Sequence, residues 1–347
     1  MSSVPAPPRI GRLDLTGLAG PTSFRDVEDY YSRAGVPSSR RWWMIALIVY
    51  GYLGGQAVLI TALLPATGLD DGVLRATSAG FLAFTSLYGA FLLALIRGNT
   101  VRQVRLDRAA RANGMVYADR ASAAEFAGSA VRGPGHPEVT HLLRAEAGSV
   151  GPVGFRAATF QARPGFSARR AGVLQLPLER PTPHLVLENS RSAVLRSTGA
   201  RVRAGQRLRL EGDFDRTFAL HCPSGYERDA LYIFTPDLMA LLLDVASDCE
   251  VELVDGFALL YVGHPWRLWR PRKFAAVHRV AQVLGTKLQR RTAGYRDDRV
   301  LLAEQDGYPP VDAGGRRLRS RPTVGSVLSV AVSIAIGAYG VWSLLAR

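Results

Sequence analysis

Residues 42–64 read WWMIALIVYGYLGGQAVLITALL and residues 76–96 read ATSAGFLAFTSLYGAFLLALI, with no charged side chain in either run. At a rise of ~1.5 Å per residue, each run as a helix reaches about the ~30 Å of a bilayer's hydrocarbon core. The short connection at residues 65–75 forces the two helices antiparallel, so the pair predicts a transmembrane hairpin. A third apolar block, residues 324–345, predicts one further span and places the termini on opposite sides.

The flanking arginines orient these spans, because positive residues are retained on the cytoplasmic side. One set of flanks carries Arg33, Arg40 and Arg41, then Arg97, Arg102, Arg105, Arg108 and Arg111, then Arg316, Arg317, Arg319 and Arg321. The opposite set carries only Arg75 and Arg347. The expected arrangement is a cytosolic tail with a short helix (1–41), a transmembrane hairpin (42–96), a cytosolic domain (97–291), a linker (292–321) and a C-terminal span (322–347). This predicts a multi-pass plasma-membrane protein with its N-terminus and middle domain cytoplasmic and its C-terminus outside. No signal peptide is evident in the first 40 residues.

The formal net charge of +14 suggests nucleic acid until its chemistry is considered. Only Lys273 and Lys287 are lysine and every other basic residue is arginine, a bias that coding composition explains. The basic clusters, moreover, lie beside the expected spans. Attraction of Arg102, Arg105, Arg108, Arg316, Arg317 and Arg319 to anionic lipid head groups accounts for them, and no nucleic-acid partner is expected. Small residues mark helix-packing faces: Gly51 and Gly55 in the first span, and Gly325, Ser329, Ser333 and Gly337 at every fourth position in the third. They pack within the three-helix unit or against a second copy of the chain or another membrane protein.

Ser23 followed by Asp26 forms a capping-box pattern before a short helix. Beyond the spans the helical pattern continues through Val101 and Val104, and Asn113-Gly114 ends it. Short strands are predicted over 115–118, 154–162, 172–178, 184–187, 206–210 and 214–222. Residues 231–234 (LYIF) read as a buried strand. Thr235 caps a helix with Pro236 at its first position and Leu238, Leu241, Leu242 and Val245 inward. Residues 250–254 and 257–262 flank Asp255-Gly256, the preferred chemistry of a tight hairpin. A basic helix over 272–291 carries Val277, Val280, Leu284 and Leu288 on one face. Behind Trp266 and Trp269 it packs on the sheet or lies on a lipid surface. The fold class expected is therefore three membrane spans plus an α+β domain of short antiparallel strands with a strand–helix–hairpin core.

Residues 227–262 (ERDALYIFTPDLMALLLDVASDCEVELVDGFALLYV), with PHLVLEN at 183–189 and LEGDFDRTF at 210–218, resemble a family of uncharacterised actinobacterial integral membrane proteins. Members carry an N-terminal two-span hairpin and a cytosolic domain of unknown function. The resemblance covers residues 99–263, and it implies no activity and no catalytic residues.

Chemistry-bearing residues are few. Glu211, Asp213 and Asp215 alternate, so on a continuous strand they share one face and suit a hard cation; Gly212 and the nearby arginines favour a solvated turn instead. His136 and His141 straddle Pro137 at a spacing that fits no common metal motif and read as loop histidines. His221 and Cys222 are neighbours and point to opposite faces of a strand, so a Cys222 nucleophile needs a distant base such as His184 or His264. Cys222 and Cys249 read as buried thiols without a disulfide. No GxSxG, HExxH, CxxC or phosphate-loop pattern occurs, and no catalytic residue or cofactor is assigned. The function expected is a non-enzymatic binding or scaffold module of the cell envelope, tethered at both ends. The alternative is a membrane-tethered hydrolase using Cys222 or the Glu211/Asp213/Asp215 group.

Overall fold

The central strands of this chain are buried on both sides, and such strands need cover on both faces of their sheet. The computed structural model describes residues 13–34, 49, 51–52, 54–55, 71–132, 138–161, 170–192, 194–197, 207–210, 214–300, 311 and 315–316. Among these residues, β1 (Val116–Ala121), β2 (Val139–Ala145), β3 (Phe155–Gln161), β4 (Arg170–Pro177), β5 (Leu185–Asn189), β6 (Arg207–Leu208), β7 (Phe218–His221), β8 (Glu250–Val254) and β9 (Phe257–Val262) form one sheet. The sheet is antiparallel throughout, in the order β1-β2-β3-β4-β9-β8-β5-β7-β6. The helices are α1 (Thr16–Ala19), α2 (Phe24–Arg33), α3 (Asp71–Ala112), α4 (Val194–Ser197), α5 (Phe214–Thr217), α6 (Glu227–Ile233), α7 (Pro236–Ala246) and α8 (Pro271–Ala293). The chain divides into two compact units, one of Leu15–Ala109 and one of Met1–Asp14 with Ala110–Arg347.

In the smaller unit α2 begins at a complete capping box. The Ser23 backbone N–H donates to the Asp26 carboxylate at 2.6 Å, and the Asp26 N–H donates to the Ser23 hydroxyl. Tyr31 donates to Gln103 at 3.1 Å, and Arg33 pairs with Asp107 at 3.0 Å, which fastens α2 along α3. Gly17 of α1 lies so close to α3 that a Cβ there would meet the Ala109 nitrogen at 2.8 Å.

Helix α3 changes the reading of the apolar runs. It continues unbroken from Asp71 through the second run to Ala112, a length of roughly 63 Å. No helix among the described residues is long and apolar enough to cross a membrane. The expected fold class of three membrane spans plus a domain is corrected accordingly to an α+β fold around a nine-stranded antiparallel sheet. Among the described residues nothing supports the membrane, transmembrane-helix and plasma-membrane reading. Most of the first run and all of residues 324–345, with Gly325, Ser329, Ser333 and Gly337, lie outside the described residues.

In the larger unit α3 ends in a Schellman turn: Met115 N–H bonds to Ala110, Gly114 N–H bonds to Arg111, and Gly114 has φ +63°. One face of the sheet carries Ala157, Leu174, Leu176, Leu260, Val251, Leu253 and Leu187, all buried. It lies under α8, where Gln282 exchanges hydrogen bonds with both backbone groups of Val153 at 3.0 and 2.7 Å. Gly285 allows that approach, because a Cβ there would sit 2.7 Å from Val153. The basic helix therefore packs on the sheet through Phe274, Val277, Leu284 and Leu288. The opposite face carries Ala158, Phe160, Val173, Leu259, Tyr261 and Val186 and is covered by residues 123–131 and α4.

The β8–β9 hairpin turns on Asp255 (φ +49°) and Gly256 (φ +78°), the conformation of a type I′ turn. The strand–helix–hairpin core is corrected to helix–helix–hairpin, because residues 227–233 are α6. Ala230 and Ile233, three apart, are buried, while Leu231 and Tyr232 are 50% and 45% exposed, a helical and not an alternating pattern. Residues 292–300, expected in a linker, pack on this domain. The Tyr226 hydroxyl donates to Asp297 at 2.9 Å and the Tyr295 hydroxyl to Asp229 at 3.0 Å. Further on, the His184 N–H donates to the Gly315 carbonyl at 2.9 Å.

Candidate functional site

The covered face under residues 123–131 holds most of the buried charge of the domain. Glu250 and Glu252 alternate with Val251 and Leu253 on β8 and point the same way, opposite Tyr261 and Leu259 of β9. Glu252 is fully buried and accepts three hydrogen bonds or ion-pair contacts. His184 Nε2 stands 2.8 Å from one oxygen, while Tyr261 OH at 2.6 Å and Ser129 N–H at 3.0 Å donate to the other. Burial pushes the Glu252 carboxyl up, but His184, Tyr261 and Ser129 outweigh it and hold it below the ordinary carboxylate range. Burial drives the Tyr261 phenol well above its usual value, and the Glu252 charge adds to that. Burial also raises the Glu250 carboxyl, against the Leu195 N–H that donates to it at 2.9 Å.

Residue 128 must be glycine for this cluster to close. A Cβ there would lie 1.8 Å from the Tyr261 hydroxyl and 2.6 Å from Leu259. The cluster therefore ties residues 128–129 to the centre of the sheet. Glu252, His184 and Tyr261 are paired and enclosed, and chemistry on a bound substrate needs an open face they do not have. The sequence signal for it was present in Glu250 and Glu252, two carboxylates on one face of an otherwise apolar strand, which demand buried partners.

The residues singled out from sequence are dispersed. Asp215 lies in the short helix α5 and accepts from the Leu210 N–H at 3.0 Å, so it is not on a strand; Glu211 and Asp213 lie outside the described residues. No group of three metal-ligating side chains occurs among the described residues. Cys222 and Cys249 are buried and unbridged. Burial, with Glu227 and Asp229 nearby, pushes the Cys222 thiol up to about 11, and burial pushes Cys249 up as well; this opposes formation of a thiolate nucleophile. His184 is engaged by Glu252, His221 lies 3.6 Å from Glu188, and His264 is exposed beside the Pro265 carbonyl. His141 is a strand residue, not a loop residue. It sits at φ +54° where the β2–β3 register shifts, its Nδ1 2.8 Å from the Tyr117 hydroxyl.

A Cβ added at Gly51 or Gly55 would meet nothing within 4 Å among the described residues. Of the arginines assigned to head groups, Arg108 is held by the Pro21 carbonyl at 3.1 Å and by Asp26 at 3.1 Å. Arg316 donates to the Val311 carbonyl at 2.6 Å. Arg102 and Arg105 lie on α3, and Arg317 and Arg319 fall outside the described residues.

The other notable surface is on α3. Phe84, Leu87, Tyr88, Phe91 and Leu95 are 45–73% exposed. Phe84, Tyr88, Phe91 and Leu95 step by four, three and four, the spacing of a coiled-coil seam. Phe84 and Tyr88 stack with ring centroids 6.5 Å apart, and Tyr52 approaches Tyr88 at 6.4 Å.

No protein-family model matches the chain, and no curated protein matches it at a significant level. Among solved structures, the crystal structure of the mycobacterial trehalose monomycolate transport factor A, TtfA, is similar at 12% identity with a TM-score of 0.34. The match covers 53% of this chain and 96% of that one. At that score the likeness supports neither a fold assignment nor a function.

Proposed function

We propose that the chain is a non-enzymatic binding and scaffold module that pairs with a second copy of itself through α3. The observation that carries this reading is the exposed row Phe84, Tyr88, Phe91 and Leu95 at alternating four- and three-residue spacing. Contiguous exposed apolar surface marks an interaction site, and this spacing places the side chains along one seam where an identical helix interdigitates. The enclosed, mutually paired Glu252 cluster and the raised thiols fit the same reading, since they brace the domain and offer no reactive group to a substrate.

Light scattering on the full chain tests the pairing. A mass of twice 37.6 kDa is expected, falling to the single-chain value when Phe84→Glu and Phe91→Glu are combined. A wild-type mass of one chain, or a double variant that keeps the wild-type mass, overturns it.

A further inference from the structure

At the end of the sheet where β2 finishes and β3 begins, the surface folds into a cavity of about 150 Å³. One water needs ~10–15 Å³ on this measure, so the space suits a small organic molecule. Arg144 of β2 and Arg156 of β3 line it and stand directly opposite each other in the ladder, with Gln175 of β4 next in the same row. Like charges directly opposed across strands are unfavourable unless something neutralises them.

The neutralisation within the described residues is incomplete. The Glu125 carboxylate pairs with Arg144. Arg156 is given only the Glu125 backbone carbonyl, a neutral acceptor, at 2.9 Å. Gln175 is held in place by the Ala127 N–H at 2.8 Å and by the same carbonyl of Glu125 at 3.3 Å. Arg144 Nε is buried without a hydrogen-bond partner. Two guanidinium groups thus share one carboxylate at the wall of a recess. The apolar wall on this face comes from Pro177 and Phe257, and Glu146, which is exposed, also lines the cavity.

We propose that this cavity binds a small oxyanion carrying an apolar group, a carboxylate or a phosphate monoester. The Arg156 guanidinium, with the Arg144 guanidinium beside it, grips the anionic head, and Pro177 and Phe257, on the same face of the sheet, receive the apolar body. The planar donor fork of arginine matches the paired oxygens of either head group. A partly buried guanidinium without a counter-charge is strengthened as an anion site by the reduced solvation around it.

Calorimetric titration of the full chain with benzoate, phenyl phosphate and benzyl alcohol tests the assignment. Benzoate or phenyl phosphate is expected to bind, with affinity falling as salt rises, and benzyl alcohol is expected not to. The tighter of the two anions identifies the head group. Arg156→Gln is expected to weaken binding about tenfold or more while the unfolding midpoint stays near that of the wild type. Arg156→Lys, which keeps the charge and loses the fork, is expected to fall between the two. Absence of binding by both anions, equal binding of benzyl alcohol, or unchanged affinity in both Arg156 variants overturns the proposal.

Discussion

Replacing Gly128 by alanine tests whether the Glu252 cluster braces the domain. The added methyl carbon would lie 1.8 Å from the Tyr261 hydroxyl, 2.6 Å from Leu259 and 3.1 Å from Glu252. Either residues 126–131 lift from the sheet or the Tyr261 ring withdraws, and both routes break the hydrogen bond from Tyr261 to the buried carboxylate. Overpacking costs about 1–3 kcal/mol, and loss of a hydrogen bond to a charged group costs about 1.5–3 kcal/mol. The expected destabilisation is therefore about 3–5 kcal/mol, a large share of the ~5–15 kcal/mol of a typical domain. Urea denaturation reads this as a midpoint lower by roughly 1–2 M. Tyr261→Phe supplies the control for mechanism. In the wild-type background it strips Glu252 of a donor and destabilises. In the Gly128→Ala background it removes the atom struck at 1.8 Å, so its effect shrinks to nothing or becomes stabilising, a coupling of at least ~2 kcal/mol. A Gly128→Ala protein within ~0.5 kcal/mol of wild type, or strict additivity with Tyr261→Phe, would refute the bracing role.

Two further outcomes follow from the buried titratable groups. Glu252 is held below its ordinary range by His184, Tyr261 and Ser129, so it contributes stability that is present above the unfolded carboxylate pKa and lost as pH falls through the lower folded value. Glu252→Gln should be less stable than wild type at pH 7 and should lack that part of the acid-limb decline below about pH 4; an acid limb parallel to wild type in chemical denaturation would count against the assignment. Cys222 and Cys249 should react with a thiol reagent only slowly in the native protein at pH 8, because both are buried and the Cys222 thiol sits at about 11. Both should react promptly in denaturant, and fast labelling of the folded chain would contradict their burial.

What the sequence determined by itself is what acts over a few residues. Asp255-Gly256 specifies a turn with two positive φ values, and the hairpin forms around it. Ser23 and Asp26 specify a helix start, and Pro236 a second one. Ala230 and Ile233 show the limit of such reasoning: a four-residue apolar run reads equally as strand or helix, and burial on one side of α6 decided it. Strand β2 was hidden because Pro134, Gly135 and Pro137 sit just before it, and its pairing with β1 and β3 is not a local property. The apolar runs specified helix readily, but periodicity says nothing of what surrounds a helix, so the inference of three spans went further than the residues warranted. The buried cluster and the cavity belong wholly to the tertiary structure. Glu252 meets His184 from 68 positions away and Ser129 from 123, and Arg144 faces Arg156 only through the register of two strands. Turn and cap energies are settled between neighbours along the chain. The pairing of a buried charge is settled between residues that folding alone brings together, and no local pattern records it.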